Sequence, residues 1–234
     1  IGSSSSGSGA EGRTTESGVT FDGAVGGRGI RSSGSGSGAD ERRAMHLGQG
    51  LLAGRPIREV RLRILRDRIG EPCGPWTDEQ FEAACLADGE VGEIVVSGEH
   101  VAESYLGGQG DRELKIRVGA QTWHRTGDAG CLDGGGRLWL HGSCRARVEG
   151  DGACRYPLAV DAALSDDAAL ARSTLLRHDS RVLLVVQPRG ELSEAERESL
   201  ASRVAWSGAE ELVVVRRMPL DRRHDAKIDH PQLQ

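Results

Sequence analysis

The segment TWHRTGDAGCLDGGGRLWLHG, residues 122–142, carries the clearest structural pattern in the sequence. It reads as a strand, a turn and a second strand, because residues 133–136 (DGGG) supply turn chemistry and residues 137–141 (RLWLH) resume an alternation of polar and apolar side chains. Two such runs around a short glycine-rich connection are typical of an antiparallel hairpin. The segment therefore predicts the centre of a small β subdomain.

Two further strands are predicted upstream of this hairpin. Residues 57–64 (IREVRLRI) alternate apolar and polar side chains with a period of two, as a strand with one buried face does. Residues 92–98 (GEIVVSG) form a compact apolar run between two glycines. Together with the hairpin, these runs predict a β subdomain over residues 55–142.

The sequence changes in character after residue 142. A helix is expected to begin at Ser193, because Glu196 follows three residues later and completes a capping box. Its apolar face is expected to carry Ala195, Leu200 and Val204. Short apolar strands are predicted at residues 175–176, 182–186 and 212–215. Strands mixed with helices over about 90 residues predict a compact α+β domain, and the fold class of the whole chain is α+β.

The chain divides into three parts on composition. Residues 1–41 are dominated by Gly and Ser, which lose much backbone entropy on ordering and offer little apolar area in return, so most of this segment is expected to be mobile. Residues 42–142 hold the β subdomain, and residues 143–234 form the small C-terminal domain. The first residue is Ile1, not Met, and we expect an upstream portion to be missing.

Composition and charge exclude several classes of function. A net charge of −5 gives no basic field for nucleic acid, and aromatic residues make up only 3% of the chain, so no large aromatic pocket is expected. The N-terminus has no signal-peptide pattern, and no apolar run approaches the roughly 20 residues of a membrane-spanning helix. The five cysteines are odd in number and lack a CxxC pair, which predicts a reducing, cytoplasmic location.

Three segments, in their order along the chain, carry a resemblance to a known family. They are residues 92–108 (GEIVVSGEHVAESYLGG), 123–142 (WHRTGDAGCLDGGGRLWLHG) and 222–233 (RRHDAKIDHPQL). They resemble the adenylate-forming superfamily of acyl-CoA synthetases, luciferases and peptide-synthetase adenylation domains. Within this superfamily, the residues of these segments are similar to those of the olefin β-lactone synthetases, also called fatty-acid CoA ligase family proteins. Those enzymes adenylate a long-chain β-hydroxy acid and let its hydroxyl displace AMP.

The resemblance implies a function for the chain and a role for three of its residues. The function is ATP-dependent activation of a small carboxylic acid, a fatty or β-hydroxy fatty acid, to acyl-AMP with Mg²⁺ as cofactor. Asp128, together with Thr126, would contact the nucleotide, since a carboxylate can accept hydrogen bonds from both ribose hydroxyls. Lys227 would be catalytic, because an ammonium between the carboxylate and the α-phosphate stabilises two approaching anions.

Other parts of the family pattern are only partly matched. Thr15 and Glu16 stand where the family has a YG.TE motif, which implies phosphate contact by Thr15 and Mg²⁺ binding by Glu16, although the expected Tyr and Gly are absent. Ser143 stands where the family has an arginine that reaches the ribose, and Arg145 or Arg147 would have to compensate. His46, His100 and His141 lack metal-site spacing and are expected at the surface or in turns.

No run of small residues followed by lysine matches the family's phosphate loop, which leaves alternatives open. The chain is the C-terminal part of a ligase, with pathway enzymes as further partners, or it is a non-catalytic remnant that serves as an interaction module. An unrelated β-rich binding protein would require all three segments to match by coincidence. An upstream phosphate loop in the gene would decide between the first two. The second step could use CoA, a carrier thiol or the substrate's own hydroxyl.

Overall fold

A computed structural model of the chain describes residues 38–68, 70–150, 153–220, 228 and 230–233. The strands, in chain order, are β1 (Leu51–Gly54), β2 (Arg61–Leu65), β3 (Gly92–Ser97), β4 (Lys115–Val118), β5 (Gln121–Leu132), β6 (Leu138–Ser143), β7 (Val148–Gly150), β8 (Ala153–Arg155), β9 (Leu170–His178), β10 (Arg181–Pro188) and β11 (Glu211–Val214). The helices are α1 (Gly38–His46), α2 (Asp78–Ala84), α3 (Asp111–Leu114), α4 (Pro157–Leu164), α5 (Glu194–Arg203) and α6 (His230–Leu233). The predicted α+β class is confirmed.

Six antiparallel strands form the larger sheet, in the order β1-β6-β5-β3-β2 with β4 added beside β5. Strand β5 is central because it is long enough to serve several partners. One of its edges pairs with β3, while the other pairs with β4 through residues 121–124 and with β6 through residues 128–132. The hairpin expected from residues 122–142 is therefore present as β5 and β6.

The turn of this hairpin is held by Asp133. Its carboxylate accepts hydrogen bonds from the Gly135 and Arg137 backbone N–H groups, from the Arg137 guanidinium and from the Trp139 indole N–H. Partial burial disfavours the charge of Asp133, but these hydrogen bonds outweigh it and lower the pKa of its carboxyl to about 2. The turn is thus fixed by one side chain as well as by its glycines.

The smaller sheet is formed by β9, β10 and β11. Strands β9 and β10 are antiparallel, whereas β10 and β11 are parallel and are joined by α5. Helix α5 begins as predicted, with Ser193 as its N-cap and a complete capping box to Glu196. Leu200 and Val204 are buried against the sheet as expected, but Ala195 is exposed, so its place on the apolar face was wrong.

Three other expectations need correction. The strand expected from residue 57 begins only at Arg61, and Ile57 is 63% exposed, because residues 58–59 form a turn before the sheet starts. The composition boundary at residue 41 falls inside α1, since residues 38–41 are already helical. His141 is not at the surface, because its position in the middle of β6 buries it to 6% exposure.

Helix α4 contacts strands of both sheets. This helix packs on β9 and also contacts β6 and α1. Gly142, at the end of β6, has φ = 120°, and a Cβ there would lie 3.0 Å from Leu158 of α4. Only glycine tolerates both that backbone angle and that approach.

The described helices include none with the length and apolar character needed to cross a bilayer.

Candidate functional site

The site begins with an irregularity in β5. In its pairing with β3, Glu93 faces Ala129 and Val95 faces Arg125, so a single residue on β3, Ile94, lies opposite the three residues 126–128 on β5. The chain therefore bulges out of the sheet at Thr126-Gly127-Asp128. Bulges of this kind redirect side chains and are frequent next to active sites.

The bulge is closed by its own first residue. The Thr126 hydroxyl donates to the Ile94 carbonyl at 2.8 Å and accepts from the Asp128 backbone N–H at 3.1 Å. Gly127 has φ = 72°, in the left-handed region that strongly favours glycine. These contacts leave Asp128 half-buried, with Ser143 of β6 as its pairing partner across the sheet.

A buried ion pair supports the bulge from within the sheet. Arg125, 2% exposed, donates from Nε and Nη2 to one oxygen of Glu93, 1% exposed, at 2.9 and 2.6 Å. Its remaining N–H groups bind backbone carbonyls, those of Arg68 at 2.8 Å and Glu113 at 3.1 Å among them. Arg125 thus joins three separate stretches of chain immediately before the bulge.

The electrostatics of this pair follow from its burial. Burial raises the pKa of Glu93, and the Arg125 guanidinium partly offsets that effect. Burial also disfavours the charge of Arg125, but the hydrogen bonds that Arg125 donates to Glu93 and the negative charge of Glu93 outweigh it and raise the pKa of Arg125. Loss of either partner would leave the other charged and without compensation in the sheet interior.

Ser143 connects the bulge to the segment that follows β6. Its hydroxyl donates to the Gly127 carbonyl at 3.5 Å and accepts from the Arg145 backbone N–H at 3.3 Å, capping the short 3-10 turn Cys144–Ala146. Ser143 therefore joins the bulge to the turn that follows β6. The Cys144 thiol inside this turn is fully buried, and burial together with nearby carboxylates raises its pKa.

Asp67 connects the larger sheet to the chain beyond β6. Its side chain is 7% exposed and accepts from the Arg147 guanidinium at 3.0 Å and from the Tyr156 hydroxyl at 3.0 Å. Burial, with the Asp67 carboxylate beside it, raises the pKa of Tyr156. Arg147 also pairs with Glu149 at 3.0 Å. Arg147 is thus held by two carboxylates, whereas Arg145 is exposed.

The structure describes three of the predicted site residues, Thr126, Asp128 and Arg147. Thr126 and Asp128 lie together in the bulge, and Arg147 lies beyond Ser143 in the ion pair with Asp67. Thr15, Glu16 and Lys227 lie outside the described residues. Within the described stretches, no group of three or more His, Cys, Asp or Glu side chains is arranged to hold a metal ion.

The sequence-based interpretation missed four residues. Glu93 carried a visible signal, because it places a charge inside the apolar run of residues 92–98, whereas Arg125 stands between His124 and Thr126 and interrupts no apolar pattern. Asp67 and Tyr156 carried none, since their contact joins residues 89 positions apart and leaves no local pattern.

Comparison with known proteins places this arrangement in a class. No family model matches the chain. It is 33% identical over 210 residues to the olefin β-lactone synthetase of Stenotrophomonas maltophilia, covering 82% of this chain and 37% of the relative. It is 30% identical over 121 residues to the 2-succinylbenzoate–CoA ligase of Bacillus subtilis, covering 52% of this chain and 21% of that enzyme.

Solved structures show the same fold. The O-succinylbenzoate coenzyme A synthetase of Bacillus subtilis in complex with AMP matches with a TM-score of 0.61 at 22% identity, over 78% of this chain and 35% of that one. The chain belongs to the adenylate-forming superfamily, and it matches the C-terminal portion of its members. The matched part spans 37% of the β-lactone synthetase, 35% of the solved synthetase and 21% of the 2-succinylbenzoate–CoA ligase.

Proposed function

We propose that the protein to which this chain belongs activates a carboxylic acid with ATP. The acid's carboxylate oxygen forms a bond to the α-phosphorus, pyrophosphate leaves with the electrons of the broken P–O bond, and acyl-AMP is the product. The observation that carries the proposal is the β5 bulge, which presents Asp128 next to the chain junction at Ser143. A half-buried carboxylate fixed in this way suits a pair of ribose hydroxyls.

Each remaining site residue has a part in this proposal. Thr126 holds the bulge closed, so its contribution to the nucleotide is the position of Asp128. Arg145 is better placed than Arg147 to meet an anionic ligand, because Arg147 is already bound by Asp67 and Glu149. Lys227 supplies the cation of the transition state, and Thr15 and Glu16 bind phosphate and Mg²⁺.

The 33% identity to an olefin β-lactone synthetase supports a finer proposal. The substrate is a β-hydroxy fatty acid, whose hydroxyl oxygen attacks the acyl carbonyl of the adenylate. AMP then leaves, the hydroxyl proton passes to solvent, and a β-lactone is formed. The similarity to 2-succinylbenzoate–CoA ligases supports thioester formation as the alternative second step. A small C-terminal domain starting at residue 143 and a cytoplasmic location remain part of the proposal.

The test is acid-dependent exchange of pyrophosphate into ATP by the full-length protein, alongside direct titration of ATP. Lys227→Ala is expected to lower exchange by a few powers of ten and to change the ATP dissociation constant little, as for an interaction made only in the transition state. Asp128→Asn is expected to weaken ATP binding about tenfold or more, because ribose contacts exist before and during the reaction.

Matched controls separate these roles from general charge effects. Arg222→Ala removes a cation five positions from Lys227, and Asp88→Asn removes an exposed carboxylate in the loop before β3. Both variants should retain exchange and ATP affinity. Normal exchange in Lys227→Ala would contradict the catalytic assignment. A full-length protein that shows no exchange with any fatty, β-hydroxy fatty or aromatic acid would favour the non-enzymatic interaction module.

A further inference from the structure

A second concave site lies in the smaller sheet, away from the bulge. Because β10 and β11 are parallel and α5 crosses between them, their carboxyl ends, Pro188 and Val214, lie at the same edge of the sheet. A cavity of about 520 Å³ opens at that edge. In α/β units, ligands commonly bind in the crevice outside the carboxyl ends of parallel strands. The volume is within the range of small-molecule sites, roughly 300–1,000 Å³.

Three arginines line this cavity, which we call the arginine pocket: Arg189, Arg197 and Arg216. Their guanidinium groups form no salt bridge or side-chain hydrogen bond within the parts of the chain that the structure describes. Elsewhere, Arg125 and Arg203 are each bound by carboxylates and carbonyls that explain their positions. Among the described residues, no carboxylate or carbonyl binds the guanidinium groups of the pocket arginines in this way.

The local charge is strongly positive in a chain that is acidic overall. Among the described residues that line the pocket, three are arginines and one, Glu191, is acidic, while the chain carries a net charge of −5. At the N-terminus of α5, the Glu196 carboxylate binds the Ser193 N–H and the Ser193 hydroxyl binds the Glu196 N–H. The attraction for an anion is therefore assigned to the arginines and not to the end of the helix.

The rest of the wall is apolar. Pro188, Leu192, Val214 and Val215 line the cavity beside the arginines, and Val214 is 37% exposed although it ends a strand of the sheet. A ligand that fits both parts carries a multiply charged oxyanion and an uncharged, partly apolar group. Guanidinium matches the oxygens of phosphate in a planar, two-pronged geometry.

We propose that the arginine pocket binds a phosphate ester, with the phosphate on Arg189, Arg197 and Arg216 and the esterified group against Leu192, Val214 and Val215. This site is separate from the bulge at Asp128 and does not depend on the proposed adenylation. An acyl-activating enzyme and a non-catalytic protein could both carry it, so its test needs no turnover.

The experiment uses the full 234-residue chain and the resonances of its arginine side-chain Nε–H groups in ¹⁵N-labelled protein. Phenyl phosphate, inorganic phosphate and AMP are titrated separately, with benzyl alcohol as an uncharged probe. Phenyl phosphate and AMP are expected to shift the pocket arginines selectively and to bind more tightly than inorganic phosphate. The uncharged probe should not bind. Affinity should fall as salt is added.

Arg216→Gln and its neighbour Arg217→Gln form the matched pair, because Arg217 is exposed but does not line the cavity. Arg216→Gln is expected to weaken phenyl phosphate about tenfold, the loss of one charge-assisted contact, and Arg217→Gln less than twofold. Equal losses in the two variants would show a diffuse field and overturn the proposal. Pocket resonances that do not shift at about 10 mM phenyl phosphate would also overturn the proposal, because a site with a dissociation constant of about 1 mM would be mostly occupied at that concentration.

Discussion

The six-stranded sheet and the three-stranded sheet differ in what they bury. The larger sheet encloses Glu93, Lys115 and Arg125 at 7% exposure or less, together with two buried histidines. In the described part of the smaller sheet and its helices, the buried polar side chains are uncharged: Ser173, Thr174 and Ser207. Its core is aliphatic, built around residues such as Leu184 and Val186.

This difference follows from the regularity of the strands. An aliphatic core suits the regular β10-α5-β11 crossover, whose backbone groups are satisfied by the sheet and the helix. Strand β5 departs from regular pairing at residues 126–128, and the carbonyls of Arg68 and Glu113, which lie outside the strands, approach the residue before this bulge. Arg125 binds such carbonyls, and Glu93 compensates its charge. Buried charge in this molecule therefore supports an irregular strand.

The largest effect is expected from breaking the buried pair. Arg125→Met would leave the Glu93 carboxylate buried without its cation, and the carbonyls that Arg125 binds would lose their hydrogen-bond donor. These losses should lower the free energy of unfolding by about 3–5 kcal/mol. Denaturant unfolding at neutral pH measures the loss. The double variant Arg125→Met/Glu93→Met should lose less than the single variant, because no unpaired charge remains.

An exposed ion pair provides the control for this prediction. Arg63 lies 3.9 Å from Glu82, with both side chains about half exposed. Arg63→Met should change the free energy of unfolding by less than about 1 kcal/mol. If Arg125→Met were as mild as Arg63→Met, buried charge would not be what supports β5, and the contrast between the two sheets would fail.

A smaller effect is expected from acid. Burial lowers the pKa of His141 to about 4, so the folded protein holds its proton less tightly than the unfolded chain, in which the pKa is about 6.5. Stability is complete above the unfolded pKa and is lost as the pH falls towards the folded one. The free energy of unfolding should fall by about 2 kcal/mol between about pH 7.5 and about pH 5.

Replacement of the histidine tests that assignment. His141→Gln should have a lower stability at neutral pH but should lose this part of the pH dependence. His100→Gln, at an exposed position, should keep the slope of the unmodified chain. An unchanged slope in His141→Gln would show that other groups cause the acid sensitivity.

The smallest effect is expected at the surface of the smaller sheet. Ser193→Ala removes the side chain that caps α5, since its hydroxyl accepts from the Glu196 N–H and bonds to the Glu196 carboxylate. The expected loss is about 1 kcal/mol of unfolding free energy, with faster amide exchange in the first turn. Ser199→Ala, in the exposed middle of the same helix, should be neutral or slightly stabilising. Equal losses would count against the cap.

Local patterns predicted several elements well. The glycine-bounded run at residues 92–98 is β3, the hairpin at residues 122–142 is β5 and β6, and the capping box begins α5. Each is set by side chains a few residues apart. The start at Ile57 was wrong because the alternation of side chains begins before the strand pairing does. His141 was misplaced because its burial depends on α4 and Tyr156, which pack against β6.

By itself, the sequence determined the α+β class, the strand order around the hairpin turn and the candidate residues Thr126 and Asp128. The tertiary structure alone decided how they are held. Arg125 and Glu93 are 32 positions apart, and Asp67 meets Tyr156 from 89 positions away. Closing such distances depends on the packing of whole elements, and no short-range spacing encodes it. Periodicity reports which face of a strand is apolar, whereas only the folded chain shows which buried charge meets which partner.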